Sequence, residues 1–371
     1  MFYTNQDGSF WKAMSSMKHL HGGDVYRYKD CIDFSSNCNP LGPPKGVVRA
    51  AAESAARMAA YPDVRCQELR EALAEYEGVS QQMLYFGNGA AEVIFSLCLA
   101  VKPKKALVPA PTFAEYQQAL SSVGCEVSYF YLKEENGFQV DAGFVDAVRR
   151  ERPQVVFLCN PNNPTGVLTP RDLLGEILAV CEETDSLLVL DECFNDFIED
   201  RGAYTMKDYL EGHPSLFLLK AFTKRYAMAG IRLGYGLSAD QGLLERMEQV
   251  TQPWNVSTIA QAAGTAALKE EDYVEQGRRL VWEEREYLRQ EMESLGYQLY
   301  DSRANYLFFY SQIPLWETCR NQGILIRDCS NYPGLGQGYY RVAVRTHEEN
   351  EKLVQVLKNI KEGENIWQKQ S

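Results

Sequence analysis

The sequence has little of what ties a chain to metal, membrane or nucleic acid. Its four histidines are scattered, and its ten cysteines lie singly, without the close Cys or His pairs of structural zinc. Several cysteines (Cys98, Cys159, Cys181) sit in apolar stretches and read as buried, reduced thiols. Positive charge is short. With 38 Lys and Arg against 50 Asp and Glu, the formal charge is −12, which argues against nucleic acid or an anionic membrane as the main partner. An anionic small molecule would need local arginines to overcome that field. The longest apolar run, Val93 to Val101, is far short of a membrane span. MFYTNQDGSFWKAMSS lacks the apolar core of a secretory leader. Internal repeats and low-complexity tracts are missing as well. A cytoplasmic protein without a metal is expected.

The chain has 371 residues, 45% of them hydrophobic, enough for one large and one smaller domain. Residues 1–45, with HGG and DFSSNCNPLGPP, read as an extended arm. Residues 46–60 favour a helix that ends before Tyr61-Pro62, and a second helix is expected over 66–77. From residue 84 strands and helices alternate. Strands are expected near 106–108, 126–131, 155–159, 187–190, 216–219 and 232–237, with helices after Gly87-Asn88-Gly89 and over 113–123, 141–150 and 170–184. Apolar strands without polar alternation predict an α/β fold, a mostly parallel sheet between helices. Helices at 241–250, 255–268 and 271–295 lead into a smaller α+β portion, which ends in a helix near 347–361 and a frayed tail, ENIWQKQS. The expected division is an arm over 1–45 packing with the small domain, a large domain over 46–250, and an interdomain helix with a small domain over 251–371.

Ligands of open α/β sheets bind beyond the carboxyl ends of the strands, and four polar elements fall there. Gly87-Asn88-Gly89-Ala90-Ala91 opens a helix, where backbone N–H groups attract phosphate; alone it is also an ordinary tight turn. Asn160-Pro-Asn-Asn-Pro-Thr-Gly166 presents Asn163 from a loop fixed by two prolines and is the most specific of the four. Asp191 follows the apolar LLVL directly. A carboxylate there needs a cation such as a pyridinium nitrogen, or else it caps a helix. The stretch KAFTKRYAMAGIRLG carries Thr223, Lys224 and Arg232, a lysine suited to bonding an aldehyde beside a guanidinium suited to a phosphate. Phe113, in PAPTFAEY, could stack on a ring. Their common order at successive strand ends points to one cofactor carrying an aldehyde and a phosphate, pyridoxal phosphate.

The order GNGAAE, PTFAEY, NPNNPTG, LDE and TK…AGIRLG resembles the fold type I pyridoxal-phosphate enzymes, in the class I/II aminotransferase group, over nearly the whole chain. Within it, two branches compete: threonine-phosphate decarboxylase, which serves cobamide synthesis, and histidinol-phosphate aminotransferase. HGGDVYRY with IDFSSNCNPLG, Phe113 and Phe194 at positions where the aminotransferase usually has tyrosine, and GILIRDCSNYPGLGQGYYRVAVR resemble the decarboxylase. The resemblance implies that Lys224 bonds the cofactor aldehyde, Asp191 pairs the pyridine nitrogen, Asn163 the phenolic oxygen, and Phe113 stacks on the ring. Gly89, Ala90, Ala91, Thr223 and Arg232 hold the phosphate, and Tyr61 reaches it from a second subunit of a homodimer. Arg341 takes the substrate carboxylate; Arg327 and His21 take a substrate phosphate. Two positions depart from the pattern: Ala221 replaces a hydroxyl near the cofactor phosphate, and Asp328 is expected to offset the charge of Arg327. The implied activity is decarboxylation of O-phospho-L-threonine, or of O-phospho-L-serine, since one methyl discriminates modestly. The alternative is an aminotransferase using 2-oxoglutarate and glutamate. A non-catalytic regulator is disfavoured, because no helix-turn-helix pattern precedes residue 45.

Overall fold

The computed structural model describes residues 22–368. After a short β1 (Ile32–Asp33), the main sheet is built from β2 (Leu84–Gly87), β3 (Lys105–Ala110), β4 (Glu126–Tyr131), β5 (Val155–Cys159), β6 (Leu187–Asp191), β7 (Leu216–Ala221) and β8 (Gly234–Ser238). Their order is β2-β8-β7-β6-β5-β3-β4. β4, β3, β5, β6 and β7 run parallel, whereas β8 is antiparallel to both β7 and β2. The sheet is mostly parallel, as expected, with one reversed strand.

The absence of polar alternation has a direct cause. In β5, Val156 and Leu158 join one core with Leu107, Leu190 and Leu218, while Val155, Phe157 and Cys159 join another with Val108, Val189 and Leu219. Side chains point alternately to opposite faces of a strand, and here both faces are covered. All five β5 residues are buried.

The alanine-rich helix is shorter than its composition suggests. It spans Lys45–Ser54, gives way to a 3-10 turn at Ala55–Arg57, and ends well before Tyr61. Val47 and Ser54 are buried in the helix, whereas nothing in the 3-10 turn is. Propensity without an apolar face to pack does not sustain a helix.

A second sheet has the order β12-β13-β10-β9, formed by β9 (Gln298–Leu299), β10 (Tyr306–Tyr310), β12 (Arg327–Asp328) and β13 (Tyr339–Ala343), all antiparallel. One face packs into a third core with Phe34, Leu288, Leu307, Phe309, Tyr340 and Val342. Leu288 comes from the long helix Glu271–Ser294, whose Val274 reaches the first core. β1 pairs in parallel with β11 (Ile324–Leu325), tying the segment before residue 45 to this C-terminal portion. The final helix, His347–Gln368, continues through most of the tail expected to fray. Among the described residues, no helix is long and apolar enough to cross a membrane, and no cluster of His, Cys, Asp or Glu could hold a metal ion.

Candidate active site

The strand directions fix where the site lies. β2, β3, β5, β6 and β7 end, and β8 begins, at one edge of the main sheet. Gly89, Phe113, Asn163, Asp191, Lys224 and Arg232 all lie within a few residues of that edge.

At one end stands the helix Ala90–Val101. Its first N–H groups have no partner within the helix, and the helix dipole adds positive potential there. Gly89 precedes it at φ +83°, a conformation open to glycine, and a Cβ at Gly89 would lie 2.5 Å from Nη2 of Arg232. The glycine lets the guanidinium reach the helix start. Arg232, itself at φ +61°, donates from Nη1 to the Ala229 carbonyl at 3.2 Å. The Glu92 carboxylate fixes the preceding turn, accepting from Asn88 N–H at 2.6 Å and from Asn255 Nδ2 at 2.7 Å. Thr223 is buried in the short helix Phe222–Arg225, and Ala221 is buried just before it. A helix start beside a guanidinium suits a phosphate dianion.

The lysine loop carries three neighbouring cations, two of them committed to buried pairs. Lys220 Nζ lies 3.4 Å from Glu77 Oε1 and 3.8 Å from Glu192 Oε2, and Arg225 Nη2 lies 2.6 Å from Asp196 Oδ2. Lys224, half-buried between them, makes no salt bridge among the described residues. Its Nζ sits 5.7 Å from the centre of the Phe194 ring. The backbone is pinned by the N-terminal segment: Asn39 N–H donates to the Lys224 carbonyl at 2.9 Å and Asn39 Nδ2 to the Arg225 carbonyl at 3.0 Å.

Asp191, at the end of β6, is 4% exposed. Its Oδ2 accepts from the Tyr116 hydroxyl at 2.5 Å and its Oδ1 from the Cys193 N–H at 2.9 Å. No salt bridge reaches it among the described residues. Burial raises its carboxyl above the ordinary value, against the lowering pull of Cys193, Tyr116 and nearby Lys224. The helix-cap alternative fails, because the next helical turn, Asn195–Phe197, is preceded by Phe194. Tyr116 is stacked on Phe157 at 4.7 Å and meets the edge of Phe113 at 5.5 Å. Sequence reasoning missed Tyr116; its only signal was a tyrosine one helical turn after Phe113.

The second sheet supplies two arginines from one face. Arg327 on β12 and Arg341 on β13 are direct cross-strand partners, both buried. Arg341 Nη1 donates to the Asn163 side-chain oxygen, and Nη2 donates to the Ser35 carbonyl at 2.8 Å. With its amide turned so that the oxygen faces Arg341, Asn37 accepts from Nη1 and Nε at 3.2 and 3.3 Å. The guanidinium lies over the Tyr306 ring at 5.2 Å. Asn37 and Asn39, read from sequence only as part of a wrapping arm, thus touch both the arginine and the lysine loop.

Three further candidates stand outside this cluster. His21 lies outside the described residues. Tyr61 is 77% exposed and stacks on Trp254 at 4.4 Å. Asp328 does not offset Arg327: it pairs with Tyr340, one residue along, and therefore stands on the opposite face of the strand, where its Oδ1 accepts from Ser330 N–H at 2.8 Å.

A buried carboxylate and a lysine that make no salt bridge among the described residues, with a helix start beside a guanidinium, fit pyridoxal 5′-phosphate. The fold and this donor set define a fold type I pyridoxal-phosphate enzyme. Residues 29–357 match the family "Aminotransferase class I and II", and the chain belongs to it. The threonine-phosphate decarboxylase of Salmonella typhimurium is 36% identical over 362 residues, covering 94% of this chain and 99% of that protein. The histidinol-phosphate aminotransferase of Methanosphaera stadtmanae is 31% identical over 342 residues, 89% of this chain and 90% of that one. Among solved structures, the histidinol-phosphate aminotransferase from Clostridium acetobutylicum superposes with TM-score 0.83 at 28% identity, covering 89% of this chain and 99% of its own. The Sinorhizobium meliloti histidinol-phosphate aminotransferase, solved with pyridoxal-5′-phosphate, does so with TM-score 0.81 at 22% identity over 96% and 100%. The chain is thus a pyridoxal-phosphate enzyme of this family, related to both branches.

Proposed function

We propose that the enzyme decarboxylates O-phospho-L-threonine, or O-phospho-L-serine, to an amino-alcohol phosphate and carbon dioxide. The supporting observation is the 36% identity to the Salmonella decarboxylase along almost the full length of both chains. The paired arginines of the second sheet suit a substrate with two anionic ends. Arg341 takes the α-carboxylate and Arg327 the phosphate.

When bound, pyridoxal phosphate supplies an electron sink for the pair released at Cα. Lys224 would hold the aldehyde carbon, and its amine, when free, would carry protons to and from the substrate Cα. Asp191, whose carboxylate accepts from the hydroxyl of Tyr116, would hold the ring-nitrogen proton. Asn163 donates to the phenolic oxygen while its own oxygen steadies Arg341. Phe113 covers the ring. Gly89, Ala90, Ala91, Thr223 and Arg232 hold the phosphate. Arg341 and Arg327 fix which Cα bond is aligned for cleavage, and that alignment selects the reaction. A second copy of the chain completes the site with Tyr61, so the enzyme is a homodimer. We place it in the cytoplasm, on the route to the cobamide side chain.

The second reading is a histidinol-phosphate-type aminotransferase, favoured by the fit of the Clostridium structure and the 31% identity to the Methanosphaera enzyme. Carboxyl-labelled O-phospho-L-threonine, given to the cofactor-loaded enzyme without a keto acid, separates the two. Catalytic release of labelled carbon dioxide, lost in Lys224→Ala, is the expected result. No release, together with turnover of histidinol phosphate once 2-oxoglutarate is added, overturns it.

A further inference from the structure

Arg341 is carried on a face of the second sheet whose other end is tied to the main sheet by a separate contact. Alternate residues of a strand share a face. Tyr306, Phe308 and Tyr310 of β10 therefore stand with Tyr339 and Arg341 of β13, since Phe308 is the cross-strand partner of Arg341 and Tyr310 that of Tyr339. At the Arg341 end, the Tyr306 hydroxyl donates to the Asn162 carbonyl at 2.8 Å, and Arg341 itself bonds Asn163. At the other end, both oxygens of one carboxylate are engaged. Glu134 Oε1 accepts from the Tyr300 hydroxyl and from Gln298 Nε2 at 3.2 Å, and Oε2 accepts from the Tyr339 hydroxyl at 2.8 Å. These bonds, that of Tyr300 first, hold the Glu134 carboxyl below its ordinary value. Glu134 lies on the turn Glu134–Asn136 after β4, where Leu132 N–H donates to the carbonyl of Ala110, the last residue of β3, at 2.8 Å. Phe138, just beyond the turn, makes edge-to-face contacts with Tyr300 at 4.9 Å, Phe308 at 5.6 Å and Tyr339 at 5.9 Å. It does so at φ +61°, a conformation costly for a bulky side chain and kept only where packing dictates it.

We propose that Glu134 is a positioning residue: by bonding Tyr300 and Tyr339, beside the inserted Phe138, it sets the tilt of the second sheet and so holds Arg341 where the α-carboxylate of the substrate meets it. The proposal rests on the reading of Arg341 given above. A sheet tied at one end can pivot about that tie, whereas two ties on one face fix its angle. Tyr339 is two residues from Arg341, about 7 Å along β13, so the second tie acts on the arginine through a short, hydrogen-bonded stretch of strand. The carboxylate also fixes two segments at once. Tyr339 begins β13, and Tyr300, whose N–H donates to the Phe308 carbonyl at 3.1 Å, lies against β10. Hydrogen bonds to an ionised acceptor are roughly twice as strong as neutral ones, which suits a tie made by only a few groups. Its effect on the reaction follows from placement. A shift of about 1 Å at a reacting group, caused by a change far from it, can lower the rate about 100-fold.

The test uses cofactor-loaded enzyme and a ligand with an α-carboxylate: O-phospho-L-threonine or, for the second reading, L-glutamate. Its dissociation constant is read from the initial change in absorbance of the bound cofactor. Glu134→Ala should weaken that ligand about 10-fold, while cofactor affinity stays within about 2-fold of the parent. Tyr300→Phe and Tyr339→Phe, which each remove one hydroxyl and keep the ring, should weaken it about 3-fold. Glu134→Gln, whose amide keeps an acceptor for the Tyr300 hydroxyl and offers a donor to the Tyr339 oxygen, should restore most of the loss. In an Arg341→Ala background, Glu134→Ala should change the dissociation constant by less than about 2-fold, because the group it places is gone. Unchanged ligand affinity in Glu134→Ala overturns the proposal. So does the same weakening with and without Arg341, or a loss of cofactor affinity as large as that of the ligand, either of which marks a merely structural contact. Arg341→Ala alone separates the two levels. If the parent binds neither ligand, or Arg341→Ala binds as the parent does, the assignment of Arg341 fails and the role of Glu134 with it. If Arg341→Ala weakens the ligand and Glu134→Ala does not, only the positioning role is wrong.

Discussion

The Tyr116 hydroxyl donates to the Asp191 carboxylate at 2.5 Å, and both residues are buried. That single bond joins the helix after β3 to the end of β6. It opposes the effect of burial, which otherwise favours the protonated carboxyl. Tyr116→Phe removes the donor and leaves the ring stacked on Phe157. A hydrogen bond to a charged group is worth about 1.5–3 kcal/mol. The variant should therefore bind pyridoxal phosphate about 10- to 100-fold more weakly, measured by equilibrium dialysis of the cofactor.

Gly89 should resist substitution for two separate reasons. Its φ of 83° with ψ of 163° is a region open essentially to glycine and strains any L-residue by about 1–3 kcal/mol. Its missing Cβ also leaves the space that Arg232 occupies. Gly89→Ala is expected to push the guanidinium from the helix start and lower cofactor affinity by at least 10-fold, an order-of-magnitude figure. Pyridoxal lacking the phosphate should bind the variant and the parent alike, which is the informative control.

Asn163 and Arg341 come from different sheets and share a hydrogen bond. Their single and double alanine variants should be strongly non-additive in kcat/KM, with a coupling of about 1–3 kcal/mol. Additive losses would show that the two act independently.

Glu77 gives a pH signature outside the site. Burial alone would raise its carboxyl, but Lys220, Arg225, the Tyr235 hydroxyl and Lys207 overcome that and hold it at about 2, below the ordinary 4.5. A depressed carboxyl contributes stability in full above its unfolded value, and the contribution is lost as pH falls from there toward the folded value. Glu77→Gln should cost about 3 kcal/mol at neutral pH, and the gap to the parent should close between pH 4.5 and 2. Urea denaturation midpoints across that range give the measurement. Because Lys220 and Arg225 flank Lys224, the same variant should loosen the lysine loop.

Much of this was legible in the chain because its signals are local. Unalternating apolar runs such as VVFLC mark strands buried on both faces, and turn-forming residues at their ends mark where a ligand can approach. The candidate residues Lys224, Asp191, Asn163 and Phe113 all sit within a few positions of such a run. Asp328 was misjudged because adjacency in sequence was taken for proximity in space, when neighbouring residues of a strand point to opposite faces.

The sequence by itself determined which segments become strands, which strand ends carry polar chemistry, and the family to which the chain belongs. The tertiary structure alone decided the reversal of β8, the bond from Tyr116 to Asp191, and that of Lys220, Lys224 and Arg225 only Lys224 has no salt bridge among the described residues. It also decided that Ser35, Asn37 and Asn39 reach the site. The reason lies in separation along the chain: Tyr116 and Asp191 are 75 residues apart, and Ser35 and Arg341 are 306 apart. Such contacts exist only once strand register brings distant segments to a common edge, and no local pattern encodes that register.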